Sequence, residues 1–126
     1  EESMTKKRIA TFALGLLGIV VLVFGAIEVF RGPRSVFAGF NRRMQRSYEI
    51  ISIGTNKRAT VGALGEPRVK SESFNLPQKH GFEPLFIAAE RSGAVEYYQW
   101  VNGMNWYYCI GFNAAGEVVV KGEGHS

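Results

Sequence analysis

Few side chains in this sequence could carry out chemistry. It contains one cysteine, Cys109, and two histidines, His80 and His125, and its eleven acidic residues are all Glu. A nucleophilic cysteine needs a basic partner that lowers its pKa. Cys109 lies between Tyr108 and Ile110 in an apolar run, so we expect it to be buried and unreactive. We expect His80, in a polar loop, and His125, near the chain end, to be solvated.

These residue counts argue against most kinds of catalytic or metal-binding site. Three scattered Cys and His residues do not form a zinc-binding pattern, and a chain without Asp cannot build an Asp-containing triad. A single cysteine also excludes a disulfide within the chain. The sequence therefore predicts no catalytic residue, no metal ligand and no cofactor, and it favours a protein that is not an enzyme and has no small-molecule substrate.

The net charge of +4 is unevenly distributed. Residues 1–50 hold eight basic and four acidic residues, whereas residues 51–126 hold seven of each. A nucleic-acid-binding domain would carry its excess charge on the folded surface that meets phosphate. Here the bases flank one long apolar run, which is typical of a membrane segment and predicts no nucleic-acid partner.

The apolar run covers residues 9–30 and follows a basic tail, residues 1–8. As a helix it would extend about 33 Å, enough to cross a hydrocarbon core of about 30 Å. Its one charged residue, Glu28, lies close enough to the end to reach the headgroups or pair with Arg31. We expect an uncleaved anchor. The alternative is a cleaved signal peptide, but Val23-Phe24-Gly25 is a poor cleavage site. No cysteine directly follows the apolar run, so a lipid-attachment site of the kind found in lipoproteins is missing there.

One face of this predicted helix carries small residues at spacings of three and four. Such a face lets a second membrane helix approach closely. The alternative is the ordinary glycine content of membrane helices. The residues of this predicted helix-packing face are Thr11, Gly15, Gly18, Leu22 and Gly25.

Residues 31–50 form a basic juxtamembrane segment. A helical spacing predicts a helix over residues 34–51, with its apolar side formed by Val36, Phe37, Phe40, Met44 and Tyr48. Basic residues next to a membrane bind anionic lipid headgroups, and the alternative is a connecting helix with a solvated basic face. The predicted membrane-surface residues are Arg31, Arg34, Arg42, Arg43 and Arg46.

Residues 51–126 are predicted to form a small α+β domain. A short helix covers Lys57 to Leu64, with Asn56 as its N-cap and Gly65 as its C-terminal stop. Residues 68–94 show no clear pattern, and within them residues 84–91 suit either a helix or a strand.

Three strands follow, over residues 95–101, 105–112 and 117–121. Their Val, Tyr, Trp and Phe content and the Asn102-Gly103 turn predict an antiparallel three-stranded meander. Side chains alternate along a strand, so we expect Tyr108 and Ile110 to face the helices and Cys109 to face away.

Neighbouring aromatic residues on these strands cannot all enter one core. We expect some of them to form a protein-binding surface on the opposite face. The alternative is that residues 68–94 cover that face. The predicted protein-binding aromatic residues are Tyr97, Tyr98, Trp100, Trp106 and Tyr107.

The order of motifs resembles the SmpA/OmlA family of small bacterial envelope lipoproteins, the BamE-like domain. The matching elements are Gly54, Leu64-Gly65-Glu66-Pro67, Tyr98-Gln99-Trp100 and the run from Ile110 to Val118. The resemblance implies short helices on one face of an antiparallel sheet and a protein-binding role in the bacterial envelope. This chain departs from the family because a predicted transmembrane helix replaces the lipid-bearing cysteine.

Together these features predict a non-catalytic, single-pass accessory subunit that stabilises a larger integral membrane protein complex. The alternative is an envelope assembly factor or an inhibitor-like module that binds transient clients. The predicted uncleaved helix in place of the lipid favours the inner membrane, and the resemblance implies that the domain lies in the periplasm. Counting bases, three before the apolar run and five after it, instead favours a cytoplasmic C-terminus. The sequence leaves this orientation open.

Overall fold

A computed structural model describes residues 2–35 and 38–126, with the side chains of residues 2–4, 28–31 and 33 excepted. Its elements in chain order are α1 (Glu2–Arg31), a 3₁₀ turn (Gly32–Arg34), α2 (Arg42–Ile50), α3 (Lys57–Leu64), β1 (Val69–Ser71), α4 (Glu83–Arg91), β2 (Glu96–Asn102), β3 (Trp106–Phe112) and β4 (Val118–His125). The predicted α+β class is confirmed.

Helix α1 combines the predicted basic tail and the predicted apolar span in one continuous helix. Within it, the 23 residues from Thr5 to Ile27 are long enough and apolar enough to cross a membrane. Its large apolar side chains lie open, with Phe12 74% and Leu22 75% exposed. The rest of the described chain therefore does not cover this helix.

The juxtamembrane helix is shorter than the predicted residues 34–51. It begins at Arg42 because the side chain of Asn41 caps it, accepting hydrogen bonds from the backbone N–H groups of Arg43 and Met44. Phe40 precedes the helix, yet it is buried, as is Tyr48 inside the helix. The predicted positions Val36 and Phe37 lie outside the described residues.

The predicted bounds of helix α3, Lys57–Leu64, and its predicted caps are confirmed. The side chain of Asn56 accepts a hydrogen bond from Ala59 N–H at 2.7 Å. The chain leaves the helix at Gly65, whose φ of 86° is in the region that favours glycine. The Gly65 carbonyl accepts a hydrogen bond from the indole N–H of Trp100 at 2.8 Å, and this bond connects the C-terminal end of α3 to the sheet.

The sheet has four antiparallel strands in the order β1-β2-β3-β4, and the predicted number of three was wrong. The additional strand, β1, has three residues paired with Tyr97 to Gln99 of β2. Three residues are too few to show an alternating pattern, so long-range pairing, not local sequence, determines this strand. The ambiguous residues 84–91 belong to helix α4.

Both faces of the sheet are covered. On one face α2 and α3 form the α2–α3 core, whose buried residues are Tyr48, Ile51, Leu64, Tyr98, Trp100, Tyr108, Ile110, Phe112 and Val118. On the other face the segment before α4 and α4 itself form the α4 core, whose buried residues are Leu76, Ala89, Tyr97, Cys109 and Val120. The predicted alternation along β3 is confirmed, because Tyr108 and Ile110 enter the first core and Cys109 enters the second.

Candidate functional site

The segment that follows α1 is fastened to the β2–β3 hairpin. Met104 N–H donates to Ala38 C=O at 2.9 Å. Gly103, with φ of 68°, lies so close that a Cβ there would be 2.7 Å from the carbonyl oxygen of Ala38. We call this contact region, residues 38–41 on residues 102–104, the juxtamembrane clamp. It fixes where the chain enters the domain after α1.

Asn102 is the central polar residue of the clamp. Asn41 N–H donates to Asn102 Oδ1 at 2.7 Å, and Asn102 Nδ2 donates to Asn41 C=O at 2.8 Å. The same Nδ2 donates to the Tyr108 hydroxyl at 2.9 Å. Asn102 is 1% exposed, so water cannot replace these bonds. One side chain thus joins the cap of α2 to the buried sheet.

The hydrogen-bonded chain continues into α2. The Tyr108 hydroxyl donates to Gln45 Oε1 at 2.5 Å, and Gln45 Nε2 donates to Glu49 Oε1 at 2.9 Å and to Glu123 Oε2 at 3.1 Å. Burial raises the pKa of Tyr108 to about 12, so the hydroxyl remains protonated and keeps its donor at neutral pH. The network therefore holds α2 against β3 and β4.

Aromatic rings close the other side of the clamp. The Arg34 guanidinium lies 5.4 Å from the Phe40 ring centroid and 5.3 Å from that of Trp106. Trp106 also stacks on His125 at 5.8 Å. Its buried indole N–H has no hydrogen-bond partner among the described residues. Ring packing and the cation, not a hydrogen bond, hold this indole in place.

The predicted membrane-surface arginines divide into two groups. Arg42, Arg43 and Arg46 are exposed on α2, where a headgroup could reach them. Arg34 is only half exposed, and its guanidinium lies over the rings of Phe40 and Trp106. The side chain of Arg31 is not among those that the structure describes. Lipid binding by these residues remains a prediction.

The predicted helix-packing face lies entirely on α1. Thr11 Oγ1 donates to Lys7 C=O at 2.9 Å, and Leu22 is exposed. A Cβ added at Gly15, Gly18 or Gly25 would meet nothing within 4 Å. The small residues are thus not required by contacts within the described chain.

The predicted protein-binding aromatic face needs correction. Tyr97 and Tyr98 are 6% exposed and Trp100 1%, because residues 72–91 cover one face of the sheet and α2 and α3 cover the other. Trp106 is half-buried beside Phe40 and Arg34, next to the clamp. Tyr107 is half-buried against the α4 core. Burial of a large aromatic side chain contributes about 1.5–3 kcal/mol to stability, so these residues act first as core.

Cys109 and His80 lie as the sequence predicts, whereas His125, predicted to be solvated, is half-buried and stacks on Trp106. Burial raises the pKa of Cys109 to about 11, and this thiol is fully buried. The side chain of His80 is 95% exposed. In the described part of the chain, no group of three His, Cys or Glu side chains could hold a metal ion.

A second feature of the molecule is an open sheet edge. Within the part of the chain that the structure describes, the outer side of β4 forms backbone hydrogen bonds at Val118 only, where Gly54 N–H donates to Val118 C=O and Val118 N–H donates to Thr55 C=O, both at 2.8 Å. Among the described residues, no backbone hydrogen bond reaches the outer side of residues 119–125. Sequence reasoning missed both this edge and the clamp, because neither is visible before strand order and long-range contacts are known.

Comparison with models of protein families, with curated proteins and with solved structures finds no match to this chain. The resemblance to the SmpA/OmlA family therefore remains a prediction based on short motifs. The fold and the site geometry have to support a functional proposal by themselves.

Proposed function

We propose that this protein is a single-pass, membrane-anchored accessory subunit that binds and stabilises a larger membrane protein complex without catalysing a reaction. The exposed apolar surface of α1 is the observation that carries this proposal. The 23 residues from Thr5 to Ile27 are long enough and apolar enough to cross a membrane, where lipid or other helices replace water around their apolar side chains.

The juxtamembrane clamp supports an anchoring role for α1. A loosely tethered domain needs only a flexible linker, whereas here the segment after α1 is bonded to the hairpin through Asn102 and Met104. Such bonding restricts how far the domain can move from the end of the anchor. A restricted position suits a subunit that contacts one complex at one place.

The open face of α1 supports packing against a partner. A Cβ at Gly15 or Gly18 would meet nothing within 4 Å in the described chain, and small residues on one helix face allow close approach of a second helix. In our proposal the large complex supplies that second helix, and the exposed arginines of α2 bind anionic headgroups beside it.

The experiment is co-purification of the intact chain from mildly solubilised membranes, with quantification of the proteins that remain bound. We expect one complex at constant stoichiometry. Gly15→Leu and Gly18→Leu should reduce its recovery several-fold, because each leucine fills the packing face. The matched control is Ala13→Leu, which adds a similar side chain on the opposite side of α1. Equal recovery with all three variants would contradict packing through this face.

We further propose that the protein lies in the inner membrane with its domain in the periplasm. The family resemblance supports this orientation, and the count of flanking bases opposes it. Protease added to spheroplasts distinguishes the two. Digestion of residues 51–126 without lysis supports a periplasmic domain, and protection until lysis supports a cytoplasmic one.

A further inference from the structure

The open edge of β4 has a defined set of outward-facing backbone groups. Phe112 directs its carbonyl to β2, where it accepts a hydrogen bond from Val95 N–H at 2.8 Å. Backbone direction alternates along a strand, so Gly111 faces β4, where it is paired with Val120. A register shift at Gly111/Phe112 leaves Val119 as an extra residue in β4, so Val120 and every second residue after it face β3 although Val118 faces outward. The N–H and C=O groups that face outward belong to Lys121, Glu123 and His125.

Two of these outward residues carry opposite charges. Lys121 and Glu123 are paired with Ile110 and Tyr108, so their side chains lie on the α2 face of the sheet. Lys121 Nζ donates to Tyr48 C=O at 3.1 Å, and Glu123 Oε2 accepts from Gln45 at 3.1 Å. Both charged groups are thus held beside the open edge, with Gly122 between them.

We propose that a second copy of this chain binds this edge, its β4 antiparallel to the first about a two-fold axis at Gly122. Lys121 of each copy then lies opposite Glu123 of the other, and each such pair exchanges two backbone hydrogen bonds. The two four-stranded sheets become one continuous sheet. This inference is independent of the proposed membrane function.

The charges determine both the occupant and the orientation. Opposite charges across a strand pair are favourable, so an antiparallel neighbour of β4 is favoured by an acid opposite Lys121 and a base opposite Glu123, and a second copy supplies both by symmetry. Parallel pairing in register would instead place Lys against Lys and Glu against Glu, which is unfavourable. The opposite interpretation is that these charges keep the edge unpaired, as charged residues do on many edge strands.

The test uses the full chain in detergent micelles and measures its mass and dissociation constant by sedimentation. We expect a dimer for the unchanged chain. Lys121→Glu and Glu123→Lys each place like charges opposite each other twice, so each should raise the dissociation constant about tenfold or more. Mixing the two variants restores opposite charges at both pairs, so the mixture should form a heterodimer. Controls with the same charge changes elsewhere are Arg58→Glu and Glu90→Lys, which should leave the dimer intact.

A cysteine experiment tests the register independently. In chains with Cys109→Ala, oxidation of an equimolar mixture of Lys121→Cys and Glu123→Cys should give an interchain disulfide, because directly opposed residues have Cα atoms about 5.5 Å apart. A monomer at every concentration would overturn the proposal. So would a dimer that neither charge variant weakens, or a mixture that forms neither heterodimer nor disulfide.

Discussion

Asn102 shows how one buried polar residue can join distant parts of this chain. Its side chain bonds both backbone groups of Asn41 and the hydroxyl of Tyr108. An apolar side chain could fill the same space but would leave Asn41 N–H without a partner, while Asn41 C=O and the Tyr108 hydroxyl would each lose one bond and keep only their bonds to Gln45. The free energy of such a site depends more on such unsatisfied groups than on the bonds themselves.

We therefore predict that Asn102→Ala lowers the free energy of unfolding by about 2–4 kcal/mol. Asn105 in the same hairpin provides the control, because its side chain is exposed, and Asn105→Ala should change stability by less than about 0.5 kcal/mol. Chemical denaturation of the detergent-solubilised chain measures both. A similar small effect for the two variants would contradict the importance of the clamp.

Cys109 gives a second prediction at the residue scale. Its thiol is fully buried, and burial raises its pKa to about 11. Because the thiolate is the reactive form, a thiol reagent at pH 8 should label the folded protein at least about a hundredfold more slowly than the denatured protein. Fast labelling of the folded protein would revive a reactive role for this residue.

At the scale of elements, two glycines have opposite roles. A Cβ at Gly111 would lie 2.7 Å from Val120 and 2.8 Å from Tyr97, whereas one at Gly62 in α3 would meet nothing within 4 Å. Gly111→Ala should destabilise the domain by about 1–3 kcal/mol through overpacking. Gly62→Ala should stabilise it by about 0.5–1 kcal/mol, because alanine favours the helix. Thermal unfolding of both variants measures these changes in stability. If both variants were stabilised, or both destabilised, the prediction would be contradicted.

The ion pair between Lys57 and Glu96 connects α3 to β2. The hydrogen bond from Lys57 lowers the pKa of Glu96, and the same bond raises the pKa of Lys57. Stability from Glu96 is fully present above the pKa of an unfolded Glu and is lost as pH falls through its lower folded pKa. The corresponding stability from Lys57 is lost at alkaline pH, as pH rises through its raised pKa.

Glu96→Gln should therefore lower the free energy of unfolding by about 0.5 kcal/mol at pH 7, a small effect because solvent screens this half-exposed pair. The difference from the unchanged chain should disappear as pH falls into the range where Glu96 is protonated. Glu90→Gln is the control, since Glu90 is exposed and has no ion pair among the described residues. A difference that persists at acidic pH would show that charge is not its cause.

Local sequence predicted the elements whose signals are local. Helix α3 has a cap at Asn56 and a stop at Gly65, and β2 and β3 are joined by an Asn-Gly turn, so their positions could be predicted closely. Strand β1 and the clamp depend on contacts between residues far apart in the chain, such as Asn41 with Asn102. The sequence contains the residue types for these contacts but not their partners.

The covered aromatic face illustrates the same limit. Alternation correctly placed Cys109 on the side of the sheet opposite α2 and α3. Whether that side is exposed depends on residues 72–91, whose sequence shows no strong pattern before α4 forms. Of the candidate site, the apolar helix α1 and the position of its small residues on one face could be predicted, because they need only composition and helical spacing.

At the scale of the whole molecule, an exposed apolar helix is fastened through a clamp to a domain with two cores. The clamp fixes residues 38–41 on the β2–β3 hairpin, at the point where the chain enters the domain. In our proposal a larger complex covers the packing face of α1, while the edge of β4 joins a second copy. The two contacts involve separate residues, so disruption of one should leave the other intact.

The most direct measurement is native electrophoresis of the intact chain after mild solubilisation of its own membranes, with detection of this protein in the gel. We predict that most of it migrates with one large complex at constant stoichiometry. Gly18→Leu should shift it to the mass of the free chain or its dimer, whereas Ala13→Leu should not. Recovery of the unchanged chain only as a free monomer or dimer under these conditions would contradict the accessory-subunit proposal.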